Sequence, residues 1–520
     1  MTRISPIYFV LVLSLILNIV PIWFGLPSYE GWFADEILPH HVRSGLEQRF
    51  SQGWHRKYPP LHYYLLTLVH SPVLLTAKLL KLDPSTLSLY TTLMLLSRLM
   101  SIVMAAGIVF LVYKIGLEIL SQRPAIFASL ITSLVVPFVH YSKTANPDIP
   151  YLFWFTLSLF YFVRLMKTRT RKYYLFFALT AVLSVSTKDH AYALYILPIF
   201  SILCRDWKLR KKANPALTVI RFISDPTYLF AVAVALATFV LVYNLTFNSS
   251  GFILHLKALT GPLRENYQLY PHTLSGHLSV LGRGLDQVRF SMGWPLFGLS
   301  IAGILAALAS KPRNLHLLSL LLFALSTEIF FIHVIMYNYA RFYLPACIIL
   351  SFFGGQFLSS LLRSPSRFDT LVRAAVMAIF AYSFIYAFSV DLLMIKDSRY
   401  AAEKWIKKNI PAHAKVGMGV WPVYGPRLGG INRFIMDSPF MDLRKLSSQP
   451  DYIILTTEFT RRYLLKPNGK HVFTNFFMEQ GKYKLVYRYR TPLSWLPLSQ
   501  RELAEQINKI NPEVLILKKR

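Results

Sequence analysis

The chain has 520 residues, of which 54% are hydrophobic, 15% aromatic and only 16% charged, with a mean hydropathy of +0.41. Ordinary soluble domains carry roughly a quarter charged residues, so this composition excludes a soluble globular enzyme and makes lipid the solvent of much of the surface. Lys and Arg total 56 against 25 Asp and Glu, a net charge of +31; in a chain this apolar the surplus reads as membrane topology and anionic lipid partners, not nucleic acid.

The first apolar segment, residues 7–26, has no small-x-small cleavage site before the loop that opens at Pro27, and it reads as a retained first span. About 20 apolar residues in a helix cross the ~30 Å hydrocarbon core. By that measure eleven spans are predicted, near 6–25, 89–113, 124–142, 147–165, 173–187, 190–204, 226–245, 293–310, 314–336, 341–362 and 371–393. Residues 59–80 start with Pro59 and Pro60, contain His62, His70 and Pro72, and end at Lys78 and Lys81, so they are read as an interfacial helix. Cys204 and Cys347 both lie in apolar segments, which excludes a disulfide framework and leaves them as packing residues.

Charge tests this arrangement, because each added span reverses every later loop. With eleven spans, the loops on the N-terminal side hold eighteen cations, among them Arg205, Lys208, Arg210, Lys211 and Lys212, whereas the three short turns opposite hold Lys143, Lys188 and Arg341. Cytoplasmic loops carry the excess of Lys and Arg, so the N-terminus is expected inside and the C-terminus outside. The chain then divides into a transmembrane domain, 1–395, with outer loops at 27–88 and 248–292, and an extracytoplasmic domain, 396–520. In the latter a helix is predicted at 401–409, strands near 415–420, 451–457, 483–489 and 514–518, and helices at 461–465 and 501–510, a small α/β fold. Its 23 Lys and Arg against 10 Asp and Glu draw it towards anionic headgroups.

Ionisable residues on the outer side fall at five places. Asp35 and Glu36 follow the first span; on a helix, neighbours point about 100° apart, so one of them, read as Asp35, faces a cavity as a base. The competing reading makes Asp35 a helix N-cap and Glu36 a complement to the helix dipole. Next, Trp54-His55-Arg56-Lys57-Tyr58-Pro59-Pro60 holds Arg56 and Lys57 at headgroup depth, as phosphate ligands or as snorkelling anchors. Asp148 opens the fourth span after Pro147, as a functional acid or a plain cap. Thr187-Lys188-Asp189-His190 joins two segments of about 15 residues, whose ~22 Å reach recesses the turn below the outer surface, where ionisable groups default to functional roles. The alternative there is a surface pair between Lys188 and Asp189. Last, Arg341 ends the tenth span within Tyr339-Ala340-Arg341-Phe342-Tyr343; cations at several helix ends on one side suit a single phosphate. Glu328 and His333, inside the ninth span, read as groups satisfied by neighbouring helices.

Taken in order, these segments resemble the membrane-embedded glycosyltransferases of the GT-C class, in particular the bacterial relatives of protein O-mannosyltransferases and the lipid A aminoarabinose transferase (glycosyltransferase family 39-like). Asp35-Glu36 resembles the acidic motif of the first outer loop, and Lys57-Tyr58-Pro59-Pro60-Leu61 the Lys-Pro-Pro-Leu signature with one residue inserted. Asn146-Pro147-Asp148-Ile149-Pro150 resembles the acid opening the fourth span, Ser186-Thr187-Lys188 the Thr-Lys closing the fifth, and Arg341 to Pro345 the basic-aromatic-Leu-Pro element of a late span. The similarity covers residues 6–393 and is fullest over 6–205.

The resemblance implies an α-helical polytopic GT-C fold with interfacial helices in its first outer loop. It also implies inverting transfer of a sugar from a polyprenyl-phosphate carrier to a glycolipid, glycan or protein acceptor outside the cytoplasm. In that scheme Asp35 is the catalytic base, Glu36 and Asp148 are supporting acids, and Arg56, Lys57, Lys188 and Arg341 bind the donor phosphate. His55, Tyr58, His62 and Tyr343 then contact substrate, and a divalent metal, if used, is shared by Asp35 and Asp148. Two other classes compete. A transporter or flippase of lipid-linked sugars also needs aromatic grooves and buried cations, but often carries paired repeats, and none is visible. A noncatalytic receptor or assembly factor predicts that Asp35 is dispensable.

Overall fold

The computed structural model describes residues 5–33, 35–47, 58–83, 85–260, 268–362, 369–418, 422–431, 433–435, 450–456, 483–492, 495–498, 502, 507 and 510–520. They form two compact units, one of residues 1–22, 37–85 and 92–387, the other of 23–36, 86–91 and 388–520.

The first unit is helical. Its helices run α1 (Pro6–Ile19), α2 (Pro39–Glu47), α3 (Leu61–Leu79), α4 (Leu87–Ile119), α5 (Gln122–Ser133), α6 (Val136–Tyr141), α7 (Asp148–Thr168), α8 (Arg171–Val185), α9 (Ile196–Ala213), α10 (Val219–Ile223), α11 (Pro226–Val242), α12 (Ser249–Thr260), α13 (Leu274–Ala309) and, after the helical stretch 315–335, α14 (Leu344–Leu361) and α15 (Asp369–Ile395). Among the described residues six stretches are long and apolar enough to cross a membrane: Leu87–Ile119, Asp148–Thr168, Leu274–Ala309, Leu315–Ile335, Ala340–Leu361 and Asp369–Asn409. The protein is an α-helical, multi-pass membrane protein. The remaining predicted crossings fall on shorter helices: α1, α8, α9 and α11, of 14, 15, 18 and 17 residues, and the interrupted pair α5 and α6.

Each departure from the predicted pattern has a local cause. The 124–142 segment breaks at Leu134 and Val135: Pro137 has no N–H to continue the hydrogen-bond ladder of α5 and instead sits in the first turn of α6, with extended Val135 as its N-cap residue. Residues 248–292, expected as an outer loop, carry α12 and the first half of the 36-residue α13. Arg283, Asp286 and Arg289 lower the hydropathy of the stretch before residue 293. The long α13 is two helices joined at a kink, where Gly293 takes φ 70° and ψ 158° and Pro295 follows. The helices approach closely through small residues: a Cβ on Gly303 would meet the Phe353 carbonyl oxygen at 2.2 Å, and one on Gly355 would meet the Ala128 amide at 2.8 Å.

The second unit contains a five-stranded sheet, β1 (Val416–Met418), β2 (Arg433–Ile435), β3 (Tyr452–Thr456), β4 (Tyr483–Tyr489) and β5 (Val514–Lys519), in the order β2-β1-β3-β5-β4. β1 pairs parallel with β2 and β3, while β5 runs antiparallel to β3 and β4, with Ile454 opposite Ile516. The helix α16 (Ser398–Asn409) is capped by Asp397, whose side chain accepts from the Arg399 amide. Ala402 and Ile406 from this helix join Val416, Met418, Ile454, Val514 and Ile516 in one buried core. Strand β2 was not predicted; three residues leave too little alternation to read. The predicted helix at 461–465 lies outside the described residues, as does most of that at 501–510.

Candidate active site

In the first unit the site is built on the turn between α6 and α7. Lys143, counted from sequence as a cation of an outward turn, is fully buried and donates to the Leu17 carbonyl near the end of α1 at 2.7 Å. Ser101 Oγ donates to the Thr144 carbonyl at 2.6 Å, the Ile37 amide to the Ala145 carbonyl at 2.9 Å, and the Asp148 amide to Asn146 Oδ1 at 3.1 Å. The turn is thus held from three directions. Pro147 occupies the N-cap position, so Asp148 stands at the first turn of α7 without serving as its cap.

Asp148 has no exposed surface. Its Oδ1 accepts from Lys188 Nζ at 2.5 Å, and its Oδ2 lies 3.7 Å from Arg341 Nη1. Lys188 comes from the turn after α8, where the 15-residue helix ends and a 3-10 turn, Asp189–Leu194, leads into α9. Arg341 comes from the 3-10 turn Ala340–Tyr343 that precedes α14. Two cations from separate helical boundaries therefore meet one buried carboxylate at a helix N-terminus, where the backbone dipole also favours negative charge.

Aromatic rings surround these charges. Lys188 Nζ lies 5.9 Å from the ring centroid of Tyr58 and 5.5 Å from that of Tyr151, and the Arg341 guanidinium lies 5.7 Å from Tyr339 and 5.8 Å from Phe342. His190 stacks on Phe331 at 4.9 Å and meets Tyr151 edge-on at 5.0 Å. The Leu61 amide donates to the Ser186 carbonyl at 3.2 Å, bringing the start of α3 to the same turn. These segments carry polar atoms that are buried without a hydrogen-bond partner among the described residues: both ring nitrogens of His62, Asn146 Nδ2, Asp148 Oδ2, Tyr151 OH, Ser186 Oγ and His190 Nε2. Orphaned donors and acceptors are rare in native interiors, and water or a bound ligand can satisfy them. Burial lowers the His62 pKa to about 3, with His70 adding to the effect.

The other predicted site residues are distributed as follows. Asp189 does not pair with Lys188; it meets Tyr243 OH at 3.2 Å and His255 Nε2 at 3.0 Å. Tyr243 and His255 were not anticipated, since His255 lies on α12 in a region read as loop. Tyr343 lines an apolar cleft of about 410 Å³ with Gly284, Leu325, Glu328 and Phe342, and its hydroxyl accepts from Asn338 Nδ2 at 3.2 Å. His55, Arg56 and Lys57 lie outside the described residues. Asp35 and Glu36, which belong to the second unit, are not on a helix: Asp35 is a half-buried turn residue at φ 64°, Glu36 is buried, and α2 begins only at Pro39. The N-cap reading of Asp35 is therefore replaced by a left-handed turn, a conformation Asp tolerates better than most residues and that costs roughly 1–2 kcal/mol. Among the described residues no three His, Cys, Asp or Glu side chains gather as metal ligands.

Residues 86–243 match the family model described as dolichyl-phosphate-mannose-protein mannosyltransferase. No curated protein sequence matches the chain. Among solved structures, ArnT from Cupriavidus metallidurans in the apo state is similar at a TM-score of 0.51, with 12% identity over 98% of this chain and 97% of that one. The Archaeoglobus fulgidus oligosaccharyltransferase, solved with Zn and sulfate, is similar at a TM-score of 0.50, with 13% identity over 94% of this chain and 72% of that one. The chain has the GT-C fold, and its residues 86–243 are similar to that one family model.

Proposed function

We propose that this protein is an inverting glycosyltransferase that takes a monosaccharide from a polyprenyl-phosphate carrier and transfers it to a glycolipid, glycan or protein on the extracytoplasmic face of the membrane. The observation that carries the reading is the meeting of Lys188 and Arg341 at Asp148, on the N-terminus of a membrane helix and among orphaned polar atoms. Such a place suits a phosphate better than a neutral solute. The matched family model, whose description names a dolichyl-phosphate sugar, supports the same donor class.

In this mechanism the acceptor oxygen attacks the anomeric carbon as the bond from that carbon to the phosphate oxygen breaks. The electron pair of the broken bond stays with the phosphate, and the acceptor's proton passes to Asp35. The donor phosphate goes from a diester monoanion to a monoester dianion. Cations held in place before the reaction stabilise that added charge more than they stabilise the bound donor, which lowers the barrier. Lys188 and Arg341 serve this role, joined by Arg56 or Lys57; Asp148 holds the two cations apart and oriented. The left-handed backbone of Asp35 is the kind of local strain that clusters at functional positions.

The test supplies the full chain in lipid nanodiscs with undecaprenyl-phosphate mannose and undecaprenyl-phosphate glucose and a cell-envelope extract as acceptor source. Asp35→Asn is expected to abolish transfer while donor binding remains, and Lys188→Ala or Arg341→Ala to cut turnover by about 10²-fold or more. Wild-type turnover in Asp35→Asn removes it as the base.

A further inference from the structure

The segment that ends at Asp35 has no regular secondary structure; its described residues from 23 to 36 are turns, bends and extended backbone. Side-chain contacts fix its conformation; within its own unit Tyr29 packs on Tyr90 at 5.2 Å, and Trp32 meets residues from the start of α16 together with Arg427. Arg399 has no exposed surface, yet carries a charge that burial penalises heavily. Its guanidinium is gripped by Asp397, with Nε to Oδ1 at 2.8 Å and Nη2 to Oδ2 at 2.9 Å, and Nη1 donates to the Val423 carbonyl at 3.2 Å. With its edge so occupied, its face lies 4.2 Å from the Trp32 ring centroid. Trp32 is itself 1% exposed. Around it also stand Arg427, at 5.1 Å and donating through Nε and Nη2 to the Glu403 carboxylate, and the Tyr400 ring at 4.7 Å. The Tyr400 hydroxyl accepts from the Gly25 amide at 3.3 Å, closing the loop's other end. At Gly25 a Cβ would meet the Trp32 amide at 2.5 Å, so the loop folds tightly back on its tryptophan.

We propose that Arg399 is a positioning residue for the reaction: locked by Asp397, it stacks on Trp32 and fixes the loop whose last residues are Asp35 and Glu36. This rests on the reading of Asp35 as the base. A planar guanidinium is needed for both the two-pronged bond to Asp397 and the stack on Trp32, which a lysine ammonium cannot supply together. The α/β region thereby has a part in catalysis without touching substrate, by holding the acid's backbone in place. Misplacing a reacting group by about 1 Å costs on the order of 10²-fold in rate.

The test uses the full chain in phosphatidylethanolamine and phosphatidylglycerol nanodiscs, with two readouts. In hydrogen exchange, Arg399→Gln is expected to speed exchange of amides 24–33 by about tenfold or more, the loss of one desolvated stack, while β3 and β5 keep wild-type protection. Arg399→Lys should fall between. Unchanged exchange at 24–33 overturns the proposal, and so does equal loosening of β3 and β5, which would make Arg399 a strut for the whole unit. In turnover with undecaprenyl-phosphate mannose, Arg399→Gln is expected to lower kcat by about 10²-fold with the donor KM unchanged. If Asp35→Asn is inactive but Arg399→Gln turns over like wild type, the positioning role fails and the base assignment stands. If Asp35→Asn turns over like wild type, the base assignment fails, and with it the catalytic meaning of the clamp.

Discussion

Removing a carboxylate completely from water costs several kcal/mol, and Asp148 recovers that cost through Lys188 and Arg341. Breaking such a buried pair leaves the remaining charge uncompensated, at about 3–5 kcal/mol. Asp148→Asn is therefore expected to lower the thermal unfolding temperature in detergent markedly. The double variant Asp148→Asn with Lys188→Met should recover part of the loss, because the residual cation goes too; strictly additive losses would contradict the pairing. The ingredients of this cluster were legible in the sequence, since Asp148, Lys188 and Arg341 each stand at a helix boundary on the same predicted side. The pairing was not. Sequence offered Asp189 as the partner of Lys188 by adjacency, whereas the 3-10 turn directs the carboxylate of Asp189 to Tyr243 and His255, contacts made by residues distant in the chain.

At the scale of elements, hydropathy located most helices because apolar length is a property of the local sequence, and it misjudged those whose continuation depends on neighbours. The first half of α13 carries Arg283, Asp286 and Arg289, yet Arg289 pairs with Asp286 at 2.7 Å one turn away, which offsets their charge. The kink at Gly293 was equally invisible, since a glycine before Trp294 and Pro295 can end a helix or bend one. Its φ of 70° with ψ of 158° belongs to a region essentially open only to glycine. Gly293→Ala is expected to destabilise the protein by roughly 1–3 kcal/mol, read as a lower midpoint of thermal unfolding; an unchanged midpoint would show that the kink does not need glycine. The α/β region was legible as a class through its alternating strands, but Arg399, Trp32 and Arg427 were missed. No sequence spacing announces a cation stacked on a ring hundreds of residues away in the chain.

For the whole molecule, the charge asymmetry makes a claim about orientation that cysteine labelling decides. With Cys204 and Cys347 replaced by Ser, Lys408→Cys is expected to react with a membrane-impermeant maleimide from outside intact cells, and Lys211→Cys only after permeabilisation. The opposite pattern would put the proposed site in the cytoplasm and end the extracytoplasmic reading. The central claim, that Lys188 and Arg341 receive the phosphate of a polyprenyl carrier, is tested most directly by binding without chemistry. Undecaprenyl phosphate is titrated into the full chain in nanodiscs and the bound fraction read by native mass spectrometry, for wild type and for the double variant Lys188→Met with Arg341→Met. Two lost charge-assisted contacts predict a Kd weakened by about 10²-fold or more; an equal Kd for the two proteins would contradict the account.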